Sequence, residues 1–520
     1  VKPNWLDRAI LAVAPRAGER RIAARQRVDR MATTRALYEG ASISRRTQGW
    51  RATGTDANTE TRHAIGRLRN VARDMVRNNG YAARAKTVIQ HNVVGTGILP
   101  QVTADSERRA AAVKKLLKQH FESTDIDADG RHNLYGLQDL AIGTIVEAGE
   151  VLIRMRPRRA EDKLALPFQL QVLEPDFIDS SVEGVLSNGN IAVQGVEFDL
   201  IGRRVAYYLF DQHPGSMLPG VRSGFRGTRV SADFVAHVFR VDRPGQVRGV
   251  SWFAPVMTLM RDWADYRDAQ LIRQKIAACF AAFVTTEDDG VDPGAVTETQ
   301  DPENGYQYAA TSPSGIPVEQ FEPGMIERLR QGESVEFATP PTTQDFAPYA
   351  SETLGEAAVG LGISREAFTG NLSGVNYSSG RMGWLEFGRN IESWRWNMLI
   401  PQMLGAVDRW THQAVAVVTG STEPWSLTWT PPRREMIDPS VEIDAAKKAI
   451  RTGLSSRSEE QRRLGYSPEE LAAEQARDNE VADKNGLIFD SDPRRVTDKG
   501  VSQKIADPNA PDIPDIATAA

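Results

Sequence analysis

Glu174-Pro175-Asp176, with Asp179 three residues on, is a place where carboxylates could hold a cation or share acid and base work. A polar turn closing a strand accounts for the same residues more simply. Gly370-Asn371-Leu372-Ser373-Gly374 sets a serine among glycines, but only superficially matches a nucleophile elbow and lacks its strand–turn–helix setting. The seven histidines, at 63, 91, 120, 132, 213, 237 and 412, are scattered. Neither HExxH nor Cys-x-x-Cys occurs, and without GxxxxGK[ST] there is no phosphate-cradling loop for ATP. The single cysteine, Cys279, excludes an intrachain disulfide and a thiolate metal cluster. These residues predict no catalytic centre, no metal site and no cofactor.

The chain that carries them has 520 residues, 41% hydrophobic and 25% charged, with a formal net charge of −5. That length suggests about three or four domain-sized units. No apolar run approaches the roughly 18 residues of a membrane span, so no membrane partner is expected. The first apolar stretch, 9–14, is short and flanked by Asp7 and arginines, which predicts no signal peptide. Charge is unevenly spread: residues 1–80 hold 17 Lys and Arg against 7 acids. Such a basic arm on an acidic body suits contact with nucleic acid or with neighbouring subunits; a solvated, partly disordered tail is the plainer reading. Residues 490–520, rich in Pro and Asp, read as a disordered tail.

Apolar spacing predicts two helices over 61–94, joined at Asn79-Gly80, then helices over 106–121 and 137–148. The period then changes to two. Val151, Ile153 and Met155 alternate with Arg154 and Arg156, Phe168, Leu170 and Val172 alternate with glutamines, and Asn188-Gly189-Asn190 signals a hairpin. Residues 196–200 should pair with 205–210. The fold class is α+β.

After Pro255 no Gly or Pro occurs until Gly290, room for a helix of about 30 residues, roughly 45 Å. Counting about 100° per residue from Val256, Leu259, Met260 and Trp263 lie on one face. Ile272, Ile276, Cys279, Phe280 and Phe283 cluster about 180° away. A helix that buries opposite faces at its two ends suits an assembly, with Ile272, Ile276, Phe280 and Phe283 packing against another subunit. A long central helix covered on both sides by its own chain is the alternative. Residues 286–324 turn polar, like a protruding insert. A strand near 335–337, a helix around Leu354–Leu361, a Gly/Asn/Ser loop and a helix from about 382 to 419, bent at Pro401, follow. Helices are expected at 439–451, 456–464 and 467–485, with Ser455 and Ser467 as N-caps.

Seven collinear blocks carry a family resemblance: RNNGYAARAKTVIQHNVVGTGI (77–98), GEVLIRMRPR (149–158), LEPDFID (173–179), HVFRVDRPGQVRGVSWFAPV (237–256), EPGMIERLRQGESVEF (322–337), NYSSGRMGWLEF (376–387) and DPSVEIDAAKKAIRTGLSSRSEEQRRLGYSPEEL (438–471). Together they resemble the lambda-type family of tailed-phage portal proteins.

The resemblance implies a non-enzymatic portal-type subunit, made in the host cytoplasm and built into the virion at one capsid vertex. Copies of it, usually twelve, would form a ring around a channel for double-stranded DNA. The implied parts are a basic arm (1–60), an α+β wing (61–250), a stem helix (251–285) and a clip (286–326). A return strand and wing helix (327–369), a tunnel loop (370–381), a long helix leading to the crown (382–436), a helical crown (437–489) and a tail (490–520) complete it. The implied partners besides DNA are the large terminase subunit, the major capsid protein or scaffold, and a head-completion or tail adaptor protein. In the loop, Asn371, Ser373, Asn376, Tyr377, Ser378 and Arg381 would meet DNA, and Arg267, Arg273 and Lys275 are candidates on the stem. Another virion structural protein, such as an adaptor or minor capsid protein, and a nuclease are the alternatives.

Overall fold

The computed structural model describes residues 5–36, 45–50, 53–217, 226–278, 282–286, 333–337, 346–432, 438–464, 466–487 and 489. The chain divides into two compact units, Val1–Glu60 and Thr61–Ala520. The expected clip, apart from Thr286, and the expected tail lie outside the described residues.

In the first unit, α1 (Trp5–Val13) and α2 (Pro15–Ala36) meet across Ala14. Gly18 permits this, since a Cβ there would lie 2.8 Å from the Leu11 Cα. Asp7, buried, accepts from Arg21 Nε at 3.0 Å and from Arg25 Nη1. The expected partly disordered arm is therefore helical over 5–36, because an ion-paired acid and a close glycine contact give the basic sequence a partner helix. A short α3 (Ala57–Thr61) follows.

The second unit opens with α4 (Ile65–Asn78) and α5 (Gly80–Val94), which meet at Asn79. The Asn79 side chain caps α5 by accepting from the Tyr81 and Ala82 N–H groups, so the predicted turn is a single capping residue. Next come β1 (Leu99–Ala104), α6 (Glu107–Phe121), capped by Ser106, and α7 (Leu134–Ala148), capped by Asn133. α7 packs on α4 and α5, burying Ile142, Ile145 and Val146 against Ala82, Ala85 and Ile89.

Two antiparallel sheets follow. β2 (Glu150–Pro157) lies between β3 (Phe168–Leu173) and β9 (Val235–Phe239). The other is a meander of β4 (Gly184–Val185), β5 (Ile191–Val193), β6 (Val196–Phe198), β7 (Arg204–Leu209) and β8 (Thr228–Ser231). Both expected hairpins form, with Val196 opposite Tyr207 and Val185 opposite Ile191. Leu152, Leu173, Val196, Tyr207, Leu209 and Val230 make a small second core from the two sheets, apart from the main helical one.

Glu150 is fully buried where these elements meet. It accepts from Arg248 Nε (2.9 Å) and Nη2 (2.6 Å) and from the Gly249 N–H (2.8 Å), and its Oε2 lies 2.9 Å from His237 Nε2. Arg248 also donates to the Gln194 and Pro175 carbonyls, so β2, β9 and two loops are tied to one carboxylate. The Arg248 and His237 contacts hold the Glu150 carboxyl well below its ordinary value, against the opposing and largest influence of burial.

The helix expected as the stem is shorter than its sequence suggests. α8 runs Met257–Ala278, and residues 282–286 form β10 (Ala282–Thr286), antiparallel to β11 (Glu333–Phe337). Phe283-Val284-Thr285-Thr286 is β-branched and aromatic, which favours a pleated strand once a partner strand is at hand. Beyond it lie α9 (Phe346–Leu361), α10 (Arg365–Thr369) and α11 (Tyr377–Trp394). A ten-residue π-helical segment, Arg395–Leu404, contains Pro401 and leads into α12 (Gly405–Thr419). The break or bend expected at the proline is a change of helix type, since proline can donate no N–H to a regular α turn. β12 (Trp425–Thr430) returns to pair with β1, Leu99 opposite Thr430. The helices expected as the crown are α13 (Pro439–Arg451), α14 (Arg457–Arg463) and α15 (Pro468–Lys484), and Ser456 rather than Ser455 caps α14.

Candidate functional site

The loop expected to meet DNA starts where α10 stops. Gly370 takes φ 72° there and its N–H bonds the Glu366 carbonyl, a left-handed C-cap that glycine adopts without strain. Arg84 of α5 donates from Nε to the Ala367 carbonyl at 2.9 Å, holding that end of the loop to the helical core. From Asn371 to Gly374 every residue is exposed, Leu372 to 70%.

Two small devices shape the loop. Asn371 Oδ1 accepts from the Ser373 N–H (2.9 Å) and hydroxyl (2.6 Å). Asn376 Oδ1 accepts from the Ser379 N–H (2.8 Å), while the Ser379 hydroxyl oxygen accepts from the Asn376 N–H (3.1 Å). This reciprocal capping box starts α11 at Tyr377, not at the expected Met382. Tyr377, Ser378 and Arg381 accordingly stand on the first turns of a helix rather than in the loop. The oxygens of Asn371 and Asn376 are committed to the loop, so toward an anion each asparagine offers its amide NH2.

Leu372, Val375, Asn376, Tyr377, Gly380 and Arg381 line a shallow, open depression of about 280 Å³. Arg381 also lies close enough to Asp438, the N-cap of α13, for its charge to act on that carboxyl. The Asp438 pKa is lowered mainly by the hydrogen bond from the Ser440 hydroxyl, with Arg381 adding a smaller pull.

In the helix expected as the stem, the first half of α8 is anchored. Met257, Met260 and Trp263 are buried, and Trp263 stacks on Phe346 with ring centres 5.9 Å apart while Tyr266 meets Tyr349 edge-on at 4.6 Å. The second half is not covered in the same way: Leu271 and Ile272 are 50% and 58% exposed. Ile276 lies near the end of the same helix, Phe280 lies outside the described residues, and Phe283 is in β10. The four expected contact positions are therefore not one helical face. Arg267 and Lys275 are exposed and Arg273 is half-buried. At about 100° per residue they point in three directions, so they do not line one channel wall together.

The acidic turn holds no bare carboxylate pair. Glu174, Asp176 and His213 bring donor atoms within 4.8 Å of one another. Arg73 Nη2 lies 2.5 Å from Asp176 and 3.2 Å from Glu174, Arg69 Nη2 lies 3.1 Å from Asp176, and His213 Nε2 lies 3.1 Å from Glu174. Two guanidinium groups thus already balance the acids, and the cluster fastens α4 to the end of β3. Asp179 is separate and closes turns, accepting from the Ser181 N–H (3.1 Å) and the Gly227 N–H (2.8 Å). The segment closes β3 as a polar turn, and its acids are shared with two arginines and a histidine. Sequence reasoning missed the Glu150–Arg248–His237 centre, whose members lie up to 98 residues apart.

The family model described as "Phage portal protein, lambda family" matches residues 43–395. The chain is 27% identical over 421 residues to the "Probable portal protein" of Halomonas phage phiHAP-1, covering 78% of each chain. It is 25% identical over 464 residues to "Portal protein B" of Escherichia phage lambda, covering 78% of this chain and 82% of that one. Among solved structures, a chain from the "Neck of empty GTA particle computed with C6 symmetry" is similar at 15% identity and a TM-score of 0.42, over 81% of this chain and 96% of that one.

Proposed function

The chain belongs to the lambda family of phage portal proteins, and on that premise we propose that copies of it form a ring at one capsid vertex whose channel passes double-stranded DNA. The observation that carries the ring is α8. Its first half is buried by its own chain, whereas Leu271 and Ile272 beyond it expose large apolar side chains. Water around such a surface favours covering it, and the same helix in a neighbouring copy is the cover a ring supplies.

In this reading the chain is a conduit and a docking ring, twelve copies strong, rather than a catalyst. The large terminase subunit drives DNA inward from the side of the clip, and a head-completion or tail adaptor takes its place later. The wing meets the major capsid protein or scaffold. Sliding requires that DNA be felt without being gripped, because each neutralised phosphate adds salt-dependent affinity. Amide donors from Asn371 and Asn376, with one Arg381 per subunit, supply exchangeable contacts of that kind, and the net charge of −5 keeps the rest of the protein from clamping on. Negative-stain microscopy of the purified protein tests the proposal. Rings with a central hole are expected; monomers or closed shells would overturn it.

A further inference from the structure

The outward positions in the second half of β2 are arginines: Arg154, Arg156 and, just beyond the strand, Arg158. Gln171 stands opposite Arg154 on β3 and Gln169 opposite Arg156. Arg158 is occupied, donating from Nε to Gln169 Oε1 at 2.6 Å. Arg154 and Arg156 are both half-buried, yet among the described residues neither side chain makes a hydrogen bond or an ion pair. Burial lowers the Arg154 pKa, the Arg156 charge lowers it further, and Asp211 opposes both. Two like charges held side by side, partly withdrawn from water and without a hydrogen-bonded counter-charge, are costly to a protein that makes no use of them.

Nor is the stripe a sample of a basic surface. The first 60 residues hold 12 of the 63 Lys and Arg but only 6 of the 68 acids, so the remainder of the chain is acidic. Alternate residues along a strand lie about 6.6 Å apart, which is also the spacing of alternate side chains on any other extended chain. A guanidinium receives a carboxylate through two parallel hydrogen bonds. We infer that this face of β2 binds an acidic, extended segment of a partner protein, with carboxylates at alternate positions seated on Arg154 and Arg156. Recession favours this ligand over a DNA duplex, whose phosphates sit on a stiff convex rod and suit cations that protrude. The inference goes beyond the channel and does not depend on it, since β2 belongs to the sheet body.

The test compares the full chain with its Arg154→Gln/Arg156→Gln double variant. The probes are a fluorescent peptide alternating glutamate with serine, the same peptide with glutamine for glutamate, inorganic phosphate and a short DNA duplex. Arginines of the first unit also attract acidic peptides, so the readout is the difference between the two proteins. Loss of roughly tenfold or more in affinity for the glutamate peptide is expected in the variant, with no binding of the glutamine peptide. Equal affinity in both proteins overturns the inference. So does a variant-sensitive gain for the duplex or for phosphate alone without one for the peptide. Should the double variant misfold, Arg156→Gln alone is read by the same criteria.

Discussion

Gly149 and Gly249 are packed backbone to backbone: a Cβ on Gly249 would lie 2.2 Å from the Gly149 carbonyl oxygen, and one on Gly149 would lie 2.4 Å from the Val250 carbonyl carbon. Gly149 also needs φ 93°, which other residues reach only with strain. This contact sets the end of α7 and the start of β2 against the segment that leads into α8. Gly249→Ala should therefore cost more than about 4 kcal/mol, because the obstruction is backbone and cannot swing aside. Loss of soluble, cooperatively unfolding protein would be the result; a thermal midpoint close to wild type would show that the contact relaxes freely.

Arg248→Met leaves Glu150 charged in a site closed to solvent. Breaking such a buried pair costs about 3–5 kcal/mol. Chemical denaturation should show that loss, and pairing it with Glu150→Leu should recover part of it if the charge, rather than the packing, is responsible.

Acid should act through two histidines. Burial brings His120 and His237 down to about 4 from 6.5, against the pull of Asp125 on the first and of Glu150 on the second. Unfolded histidine gains its proton below 6.5 while the folded protein resists until about 4, so stability is full above 6.5 and declines as pH falls through that window. Among the described residues neither His120 ring nitrogen has a hydrogen-bond partner of ordinary geometry, and the ring meets Phe168 edge-on at 4.9 Å. In His120→Phe the decline between pH 6.5 and 4 should be visibly shallower. An unchanged slope would assign the acid sensitivity to His237 or elsewhere.

Ile272→Asp separates assembly from folding. The side chain is 58% exposed in the single chain, so the fold should survive while each contact between copies acquires a desolvated charge. Sedimentation should show loss of rings with unchanged circular dichroism. Trp263→Ala, on the buried half of the same helix, should instead cost about 3–5 kcal/mol of folding stability. Normal rings in the Ile272 variant would remove this face from the subunit contact.

Arg381→Glu replaces the cation at the head of α11 and sets a like charge near Asp438. Rings should form normally while packaged genome length or DNA retention falls. Wild-type packaging and retention would take this residue out of the channel.

Much of the fold was legible because it is locally determined. The turn at Asn79-Gly80, the hairpin at Asn188-Gly189 and helices α13 to α15 all depend on neighbours a few residues away. The β1–β12 ribbon was not legible, since Leu99 and Thr430 are brought together only by tertiary packing. The strand at 282–286 was read as helix for a related reason: a stretch without Gly or Pro permits a helix, and only a partner strand at 333–337 decides otherwise. At the loop, glycine and serine content indicated irregular backbone, but the capping box hands its second half to α11. The balance of the acidic turn was not legible, since the arginines that pair with it lie on α4, about 100 residues earlier in the chain.

The π-helical segment has a geometric consequence. Phe387, Ile391 and Trp394 before it, and Val407, Trp410 and Ala414 after it, all enter one core. On an unbroken α-helix, at about 100° per residue, the second group would emerge nearly opposite the first. A helix of i→i+5 hydrogen bonds turns only about 80° per residue, so ten such residues unwind the rod by roughly half a turn and bring both groups into phase. α8 carries the same half-turn mismatch with no such segment among its described residues. One helix has its winding corrected and keeps a single allegiance to its own core; the other is left out of phase, its Leu271 and Ile272 turned out to solvent, and in the proposed ring that far half is what a neighbouring copy would cover.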